Sequence, residues 1–308
     1  MDERSGRRRP RELAHPELLL SFANVASHPR PSCLLRVNIA TQHGEWIDVG
    51  LGELLASGVG ICADDRYLYH VLVANSDFST YVSVLDRQSL QVVNVQRLPE
   101  IDDGHSVVRL EDELIVVSSG TDQIFAYPLD GFELGPSRIL WSPTDSGRDT
   151  HHVNSLTNVD GELICSAFGP KENDSWASAE SGYVYNVTTG QLVLDGLRQP
   201  HSVTWHGEEL FFCNSREGTV NTREAVVAYL YGYSRGLSFG PDGVMYVGTS
   251  VSRRPVQAAD DAVVFLNPGD TGDLHGQCAV IQMNEMGTNR LEMAMAPFGN
   301  EIYDIFVL

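Results

Sequence analysis

Residues 105–117 read His-Ser-Val-Val-Arg-Leu-Glu-Asp-Glu-Leu-Ile-Val-Val, and residues 201–213 read His-Ser-Val-Thr-Trp-His-Gly-Glu-Glu-Leu-Phe-Phe-Cys. Each segment is a short apolar run, a turn rich in acids or glycine, and a second apolar run, the pattern of paired short strands. The same frame recurs ungapped at Val59-Gly60-Ile61 before Leu68, at Asn154-Ser155-Leu156 before Leu163 and at Arg235-Gly236-Leu237 before Val244. In every copy a variable residue is followed by Ser or Gly and then an aliphatic. The copies lie roughly 35 to 50 residues apart, the length of a four-stranded propeller blade. Helical periodicity is nearly absent.

A last copy, Tyr303-Asp304-Ile305, stands near the C-terminus, while the N-terminal strands 18–24, 33–40 and 45–49 have no innermost strand before them. The two ends complement each other. The sequence therefore predicts an all-β, six-bladed β-propeller of four-stranded antiparallel blades, its ring closed by residues 302–308 pairing with 18–24. A single domain is expected over 17–308, after a flexible tail of residues 1–16.

Composition agrees with a large soluble β domain. The chain has 308 residues, 42% hydrophobic and 20% charged, with 28 Gly and 14 Pro. That excludes collagen, coiled coil and wholesale disorder. Acids outnumber bases 41 to 21, a net charge of −20. Such a field repels phosphate backbones and anionic lipid surfaces, so neither nucleic acid nor membrane is an expected partner. Lys171 is the one lysine among the bases, a bias that fits a GC-rich bacterial genome. The cysteines Cys33, Cys62, Cys165, Cys213 and Cys278 stand singly with no CxxC pair, which suggests reduced thiols, most of them buried. Arg7-Arg8-Arg9 precedes a short apolar stretch at Leu18–Ala23, too brief and too interrupted by Glu12, His15 and Glu17 for a signal peptide. A cytoplasmic location is expected.

The segments HSV, NSL, HSV and RGL at the strand starts, with the closing Glu301-Ile302-Tyr303-Asp304-Ile305, resemble an uncharacterised family of bacterial six-bladed propellers. The resemblance spans nearly the whole chain. It also places the chain near the broader superfamily of gluconolactonases and strictosidine synthases. That superfamily implies a fold and a pocket on the channel axis, not a reaction. The calcium site of gluconolactonase-like enzymes, built from carboxylates and asparagines, is not matched at the corresponding positions here.

In a propeller the first strand of each blade lines the channel. The repeat starts should therefore ring its mouth, bringing together His105, Asn154, His201, Arg235, Tyr303 and Val59. Side chains alternate along a strand, so Asp103, His152, Gln199, Tyr233, Glu301 and Ser57 should form a second tier. His105, His201 and His152 (or its neighbour His151) are candidate ligands of one divalent transition metal, since neutral imidazole is a common ligand and three with an open position is a catalytic arrangement. Asp103 or Glu301 would supply an oxygen ligand or orient an imidazole. Without metal, the same imidazoles serve as general acids and bases. Arg235 would bind a carboxylate or an oxyanion through a charge-assisted fork, or else neutralise Asp103 or Glu301.

The catalytic candidates are thus His105, His201, His152, Arg235 and Tyr303. The substrate-binding candidates are Asn154, Arg235, Tyr233, Asn214, Arg253 and Lys171, the last three on loops that follow second strands and face the same mouth. Two of those loops, 167–182 and 249–276, are long. No P-loop, GxGxxG, HExxH or GxSxG is present, so no nucleotide cofactor is expected. The function expected is a lyase, hydrolase or isomerase acting on a small anionic metabolite. The alternative is a non-catalytic propeller that binds a ligand or serves as an interaction scaffold, whose signature would be exposed aromatics on loops; Trp176 is the main candidate.

Overall fold

The computed structural model describes residues 16–24, 32–74, 77–251 and 276–308, with backbone alone for residue 56 and for two further strands, 254–257 and 263–266. Residues 1–15 of the expected tail and Arg253 lie outside the described residues.

Six antiparallel blades surround one axis. Blade 1 runs from the axis outward as Ile302–Val307, Glu17–Phe22, Leu34–Asn38 and His43–Ile47. Blade 2 comprises Leu55–Ala63, Tyr67–Ala74, Ser79–Asp86 and Val92–Asp102. Blade 3 has Gly104–Leu110, Glu113–Ser118 and Gln123–Asp130, with Glu133–Leu134 and Arg138–Trp141 sharing its outer edge. Blade 4 is Val153–Val159, Glu162–Ala167, Gly182–Asn186 and Gln191–Leu197. Blade 5 is Pro200–His206, Glu209–Asn214, Thr219–Asn221 and Val226–Tyr229, and blade 6 is Tyr233–Phe239, Met245–Ser250, Ala279–Met283 and Leu291–Ala294. Within the stretch 249–276, read from sequence as a loop, Arg254–Gln257 pairs with Val263–Leu266 as a two-stranded ladder.

The ring closes as the sequence requires. Leu18 pairs with Val307, Leu19 with Phe306, Leu20 with Ile305 and Ser21 with Asp304. Leu18, Leu19, Leu20, Ile302 and Ile305 are buried in the apolar cluster that joins blades 1, 2 and 6. Further apolar layers fill the other interfaces, for example Val116, Phe125 and Tyr69 between blades 2 and 3, and Ile115, Val117 and Cys165 between blades 3 and 4. Of the three cysteines set in apolar strand runs, Cys165 and Cys213 are buried as expected and Cys62 is only partly so; Cys33 and Cys278 are buried as well. A neutral His70, pushed down to about 3 by burial, accepts a place in this packing through Ser21 Oγ at 2.8 Å.

The inner strands depart from simple alternation. Register shifts interrupt the pairing of all six with their second strands, at Gly58/Ile61, Gly104/Val107, Val153/Ser155, His201/Thr204 and Arg235/Leu237, and at Tyr303, which is skipped between the pairs Phe22–Ile302 and Ser21–Asp304. Each bulge falls at the repeat start, where a bulge re-aims a side chain. At two repeats this bears on the small residue at the second position. Ser202 and Gly236 occupy left-handed backbone, at φ 54° and 64°. The small side chains also reach across blades: Ser155 Oγ accepts from Val203 N at 3.2 Å, Ser202 Oγ from Gly236 N at 2.9 Å and Asp304 Oδ2 from Ile61 N at 2.8 Å.

Removing residues 302–308 leaves Glu17–Phe22 as a bare edge and strips the apolar joint of blade 1. The truncated chain is expected to be insoluble or to lose its cooperative melt. A soluble, cooperatively unfolding truncation, seen by circular dichroism, would sink the closure.

Candidate functional site

The inner strands meet around an axial cavity of about 290 Å³ whose walls include Gly60, Ser106, Ser155, Ser202 and Asp304. The second repeat position is small because these residues crowd the axis. Asp304 is pushed up to about 7 by burial, against two backbone N–H groups that favour its carboxylate.

Above the cavity the repeat-start side chains and their second-tier neighbours form a closed collar. His201 packs edge-on to Tyr233 at 5.6 Å, and Arg235 lies over Tyr233 at 4.7 Å and over Tyr303 at 5.3 Å. Tyr303 meets His105 at 5.5 Å, and His105 meets His152 at 4.9 Å. Phe168 completes the circle, 4.5 Å from His152 and 5.0 Å from His201. All five catalytic candidates and Tyr233 are therefore brought together. Phe168 follows the second strand of blade 4, and nothing in its sequence context distinguishes it from a core aromatic.

Hydrogen bonds set the imidazole tautomers. His105 Nδ1 lies 3.0 Å from Asp103 O, a pure acceptor, so Nδ1 carries the proton. His201 Nδ1 lies 3.1 Å from Gln199 O and 2.8 Å from Ser215 Oγ, whose own proton goes to Ser234 O at 2.6 Å. His152 Nδ1 faces the Asp149 carboxylate at 3.2 and 3.3 Å. In each case the outer nitrogen is held by an oxygen and Nε2 is left to accept or ligate. Burial lowers the affinity of His105 for a second proton, and His152 and Arg235 add to this against Asp103. His201 is driven well below the ordinary imidazole range by burial, then by Arg235 and the other two histidines.

The ring does not treat its three imidazoles alike. Asp103, His105 and His152 each place a donor atom within 4.8 Å of the others. His201 is outside that group, on the far side of Phe168. His151 points elsewhere, its Nδ1 3.1 Å from Tyr183 Oη, so His152 is the channel imidazole of that pair. Glu301 accepts from Asn24 Nδ2 at 2.6 Å, so Asp103 is the carboxylate beside the imidazoles.

Three buried polar atoms in the collar, His201 Nε2, Arg235 Nε and Tyr303 Oη, have no hydrogen-bond partner. Such orphans are costly and call for a ligand or water. Tyr303 is raised well above the ordinary phenol range by burial, so it remains a donor. Arg235 stays charged: burial opposes the cation, but Tyr233, Tyr303 and Glu301 outweigh it and raise its affinity for the proton.

Several expected substrate contacts have other employment. Asn154 is fully buried, donating to His152 O at 3.2 Å and accepting from Ser166 Oγ at 2.7 Å. Asn214 Oδ1 accepts from Arg198 N at 2.7 Å. Lys171 lies 4.3 Å over the Trp176 ring. Trp176 is not an exposed loop aromatic: it packs on His152 at 4.8 Å, and its carbonyl accepts from Gln199 Nε2 at 2.7 Å. Trp176 and Phe168 thus wall the His152 side of the mouth.

A family profile described as Domain of unknown function (DUF4915) matches residues 101–308. No curated protein is significantly similar in sequence. Among solved structures, a chain of the Nidogen/Laminin complex superposes with a TM-score of 0.61 at 11% identity, over 94% of this chain and 97% of that one. A provisionally assigned 6-phosphogluconolactonase of Bacteroides fragilis gives 0.55 at 12% identity, over 97% and 100%. The calcium-binding protein regucalcin of Agrobacterium tumefaciens gives 0.53 at 14% identity, over 78% and 74%. At these identities the likeness concerns the fold. No helix among the described residues is long and apolar enough to cross a membrane.

His105 and His201 should both be neutral at pH 6.5, where an ordinary imidazole is half protonated. Nitrogen-15 NMR is expected to show both as Nδ1–H tautomers there, with no protonation step until the pH falls further. A step near pH 6.5 at either residue would contradict the environment described.

Proposed function

We propose, for a chain that belongs to the DUF4915 family, that the collar is the active site of a metal-assisted hydrolase acting on a small anionic metabolite. The observation that carries this is the division of one ring into two halves. Asp103, His105 and His152 offer converging donors. Across the mouth, His201 Nε2, Arg235 Nε and Tyr303 Oη are buried without partners.

The donor set suits a first-row transition ion. Calcium takes six to eight oxygen ligands, whereas two imidazoles and one carboxylate match zinc, iron, manganese or cobalt. A bound ion of this kind would supply Lewis acidity at an open position. The chain's own residues do the rest. Arg235, held between two tyrosines, grips the anionic group of the substrate. Tyr303 donates to an oxygen beside it. His201, neutral and with its Nδ1 tied down, offers Nε2 as a hydrogen-bond acceptor to the attacking water. Phe168 and Trp176 pack on the His152 ring and hold its orientation. The provisional lactonase among the fold neighbours agrees with hydrolysis.

Metal analysis tests the first half. Purified protein is expected to retain about one divalent transition ion, and Ala at Asp103, His105 or His152 should each remove it. His201→Ala should keep it. A metal-free protein that also fails to take up zinc or cobalt would overturn the metal half of the reading and return the imidazoles to acid–base roles.

The second half is read by ligand binding. An anionic ligand found by thermal-shift screening of carboxylate and phosphate metabolites should bind Arg235→Ala about 1.5–3 kcal/mol more weakly, the range for hydrogen bonds to charged groups. Arg235→Lys should not restore it, because an ammonium lacks the planar fork. Wild-type affinity in a folded Arg235→Ala protein, measured by calorimetry, would refute the contact.

A further inference from the structure

The turn Ser118–Asp122 of blade 3 has no part in the chemistry above, yet it touches the backbone on both sides of the proposed metal site. Ser119 N donates to Asp103 O at 3.1 Å and Gly120 N to Asp102 O at 2.9 Å. Ser118 Oγ accepts from Asp102 N at 3.0 Å and donates to Asp102 O at 2.8 Å. A Cβ on Gly120 would stand 2.7 Å from Asp102 Cγ, so this approach needs glycine.

The far end of the same turn reaches blade 4. Asp122 is fully buried. Its Oδ2 accepts from Thr150 N at 2.6 Å, Thr150 Oγ1 at 2.8 Å and His151 N at 2.7 Å, and its Oδ1 accepts from Val153 N at 3.2 Å. Those donors lie immediately before and after His152. His152 itself stands in left-handed backbone at φ 52°, and Asp103 does so at φ 49°. A non-glycine residue held there costs on the order of 1–3 kcal/mol and persists only where its surroundings overdetermine it. Around His152 the N–H groups on either side go to the one Asp122 carboxylate, while the carbonyls of His151 and His152 accept from Gly169 N and Phe168 N.

We propose that Asp122 is the positioning residue of the metal site: its carboxylate clamps the backbone on either side of His152 and sets that imidazole against the Asp103–His105 pair of its own blade. The inference rests on the proposed metal site. Asp122 touches neither metal nor substrate. It acts by fixing the separation between ligands contributed by two blades that share no backbone ladder. Outer partners of metal ligands typically matter 10- to 100-fold in metal affinity.

The test is cobalt binding to the full chain, followed by the visible ligand-field spectrum and by competition with a chelator. Asp122→Asn replaces one acceptor oxygen by an amide N–H that faces donors. It should weaken cobalt binding about 10- to 100-fold and alter the spectrum. Thr150→Val removes a single bond to the clamp and guards against a variant that fails to fold; it should weaken binding several-fold. A purely structural Asp122 would lower the melting temperature of the variants but leave affinity and spectrum as in wild type. Wild-type cobalt affinity in folded Asp122→Asn, or in Thr150→Val should the first not fold, overturns the assignment while leaving the metal site standing. Absence of cobalt binding by the wild-type chain overturns both.

Discussion

Adjacent blades of a propeller share no backbone ladder, so their relative placement depends on what crosses between inner strands. Here the crossing is made by short side chains that bond to the next blade's main chain. At the mouth, Ser119 Oγ donates to Val153 O, Ser215 Oγ to Ser234 O and Ser250 Oγ to Ile302 O. Deeper, Ser155, Ser202 and Asp304 accept from N–H groups of the blade that follows. Val203 and Gly236 lie in the bulges, which leave their N–H groups out of the ladder of their own blade. The apolar layers between blades contribute most of the stability, since burial scales with area. They are non-directional, however, and would tolerate small slips. The polar latches fix the rotation of each blade about the axis, and with it which side chains meet over the channel.

That placement explains why so much polarity sits in so small a volume. Ser215 is at once a latch and the partner of His201 Nδ1, so holding blade 6 against blade 5 also sets a tautomer. Asp103, His152 and Gln199, on consecutive blades, all have left-handed backbone at φ 49°, 52° and 53°. The chain curls inward there and drops each side chain over the mouth before the inner strand begins. The cost is local strain, a common companion of preorganised sites. The surrounding charge acts in the opposite sense to the site. A net charge of −20 repels anions at long range, but screening limits that field to about 8–10 Å at physiological salt. Arg235 between Tyr233 and Tyr303 acts inside that distance, in a partly dry setting where a single cation outweighs a remote excess of acids.

The repeat made the architecture legible because every blade faces the same packing problem and five of the six answer it with Ser or Gly at the second position. The variable position before that residue exposed the collar for a related reason: its chemistry changes from blade to blade, so it stands out. His105, His201, Arg235 and Tyr303 were found this way. Period-two alternation was a poorer guide. It placed His152 and Asp103 in the second tier without revealing the bulges that decide where they point, and it could not separate His151 from His152. That choice is made by Tyr183, a residue of a different strand. Phe168 and Asp122 were illegible for another reason. A phenylalanine after a strand and an aspartate in a turn are ordinary locally, and their roles come from contacts made in the neighbouring blade. Asn214 and Lys171 show the converse: polar loop residues on the right face can be consumed by local turn bonding or by stacking on Trp176.

The same logic bears on how a fold shared with a calcium-binding protein can host different chemistry. The blade skeleton depends on the small second position and the aliphatic third, which turn inward or pack between blades. The first position varies in chemistry from blade to blade, with Val59 and Tyr303 sharing in an apolar cluster and His105, Asn154 and His201 buried beside the axis. Oxygen donors there would favour a large, flexible coordination shell, as calcium prefers. Here blades 3 and 4 present imidazoles instead, each with its outer nitrogen tied to an oxygen, and a single carboxylate beside them. Nitrogen donors in a crowded, partly buried setting favour smaller, softer ions and fewer ligands. The proposed chemistry of this chain follows from which side chains occupy that ring, not from the propeller that displays it.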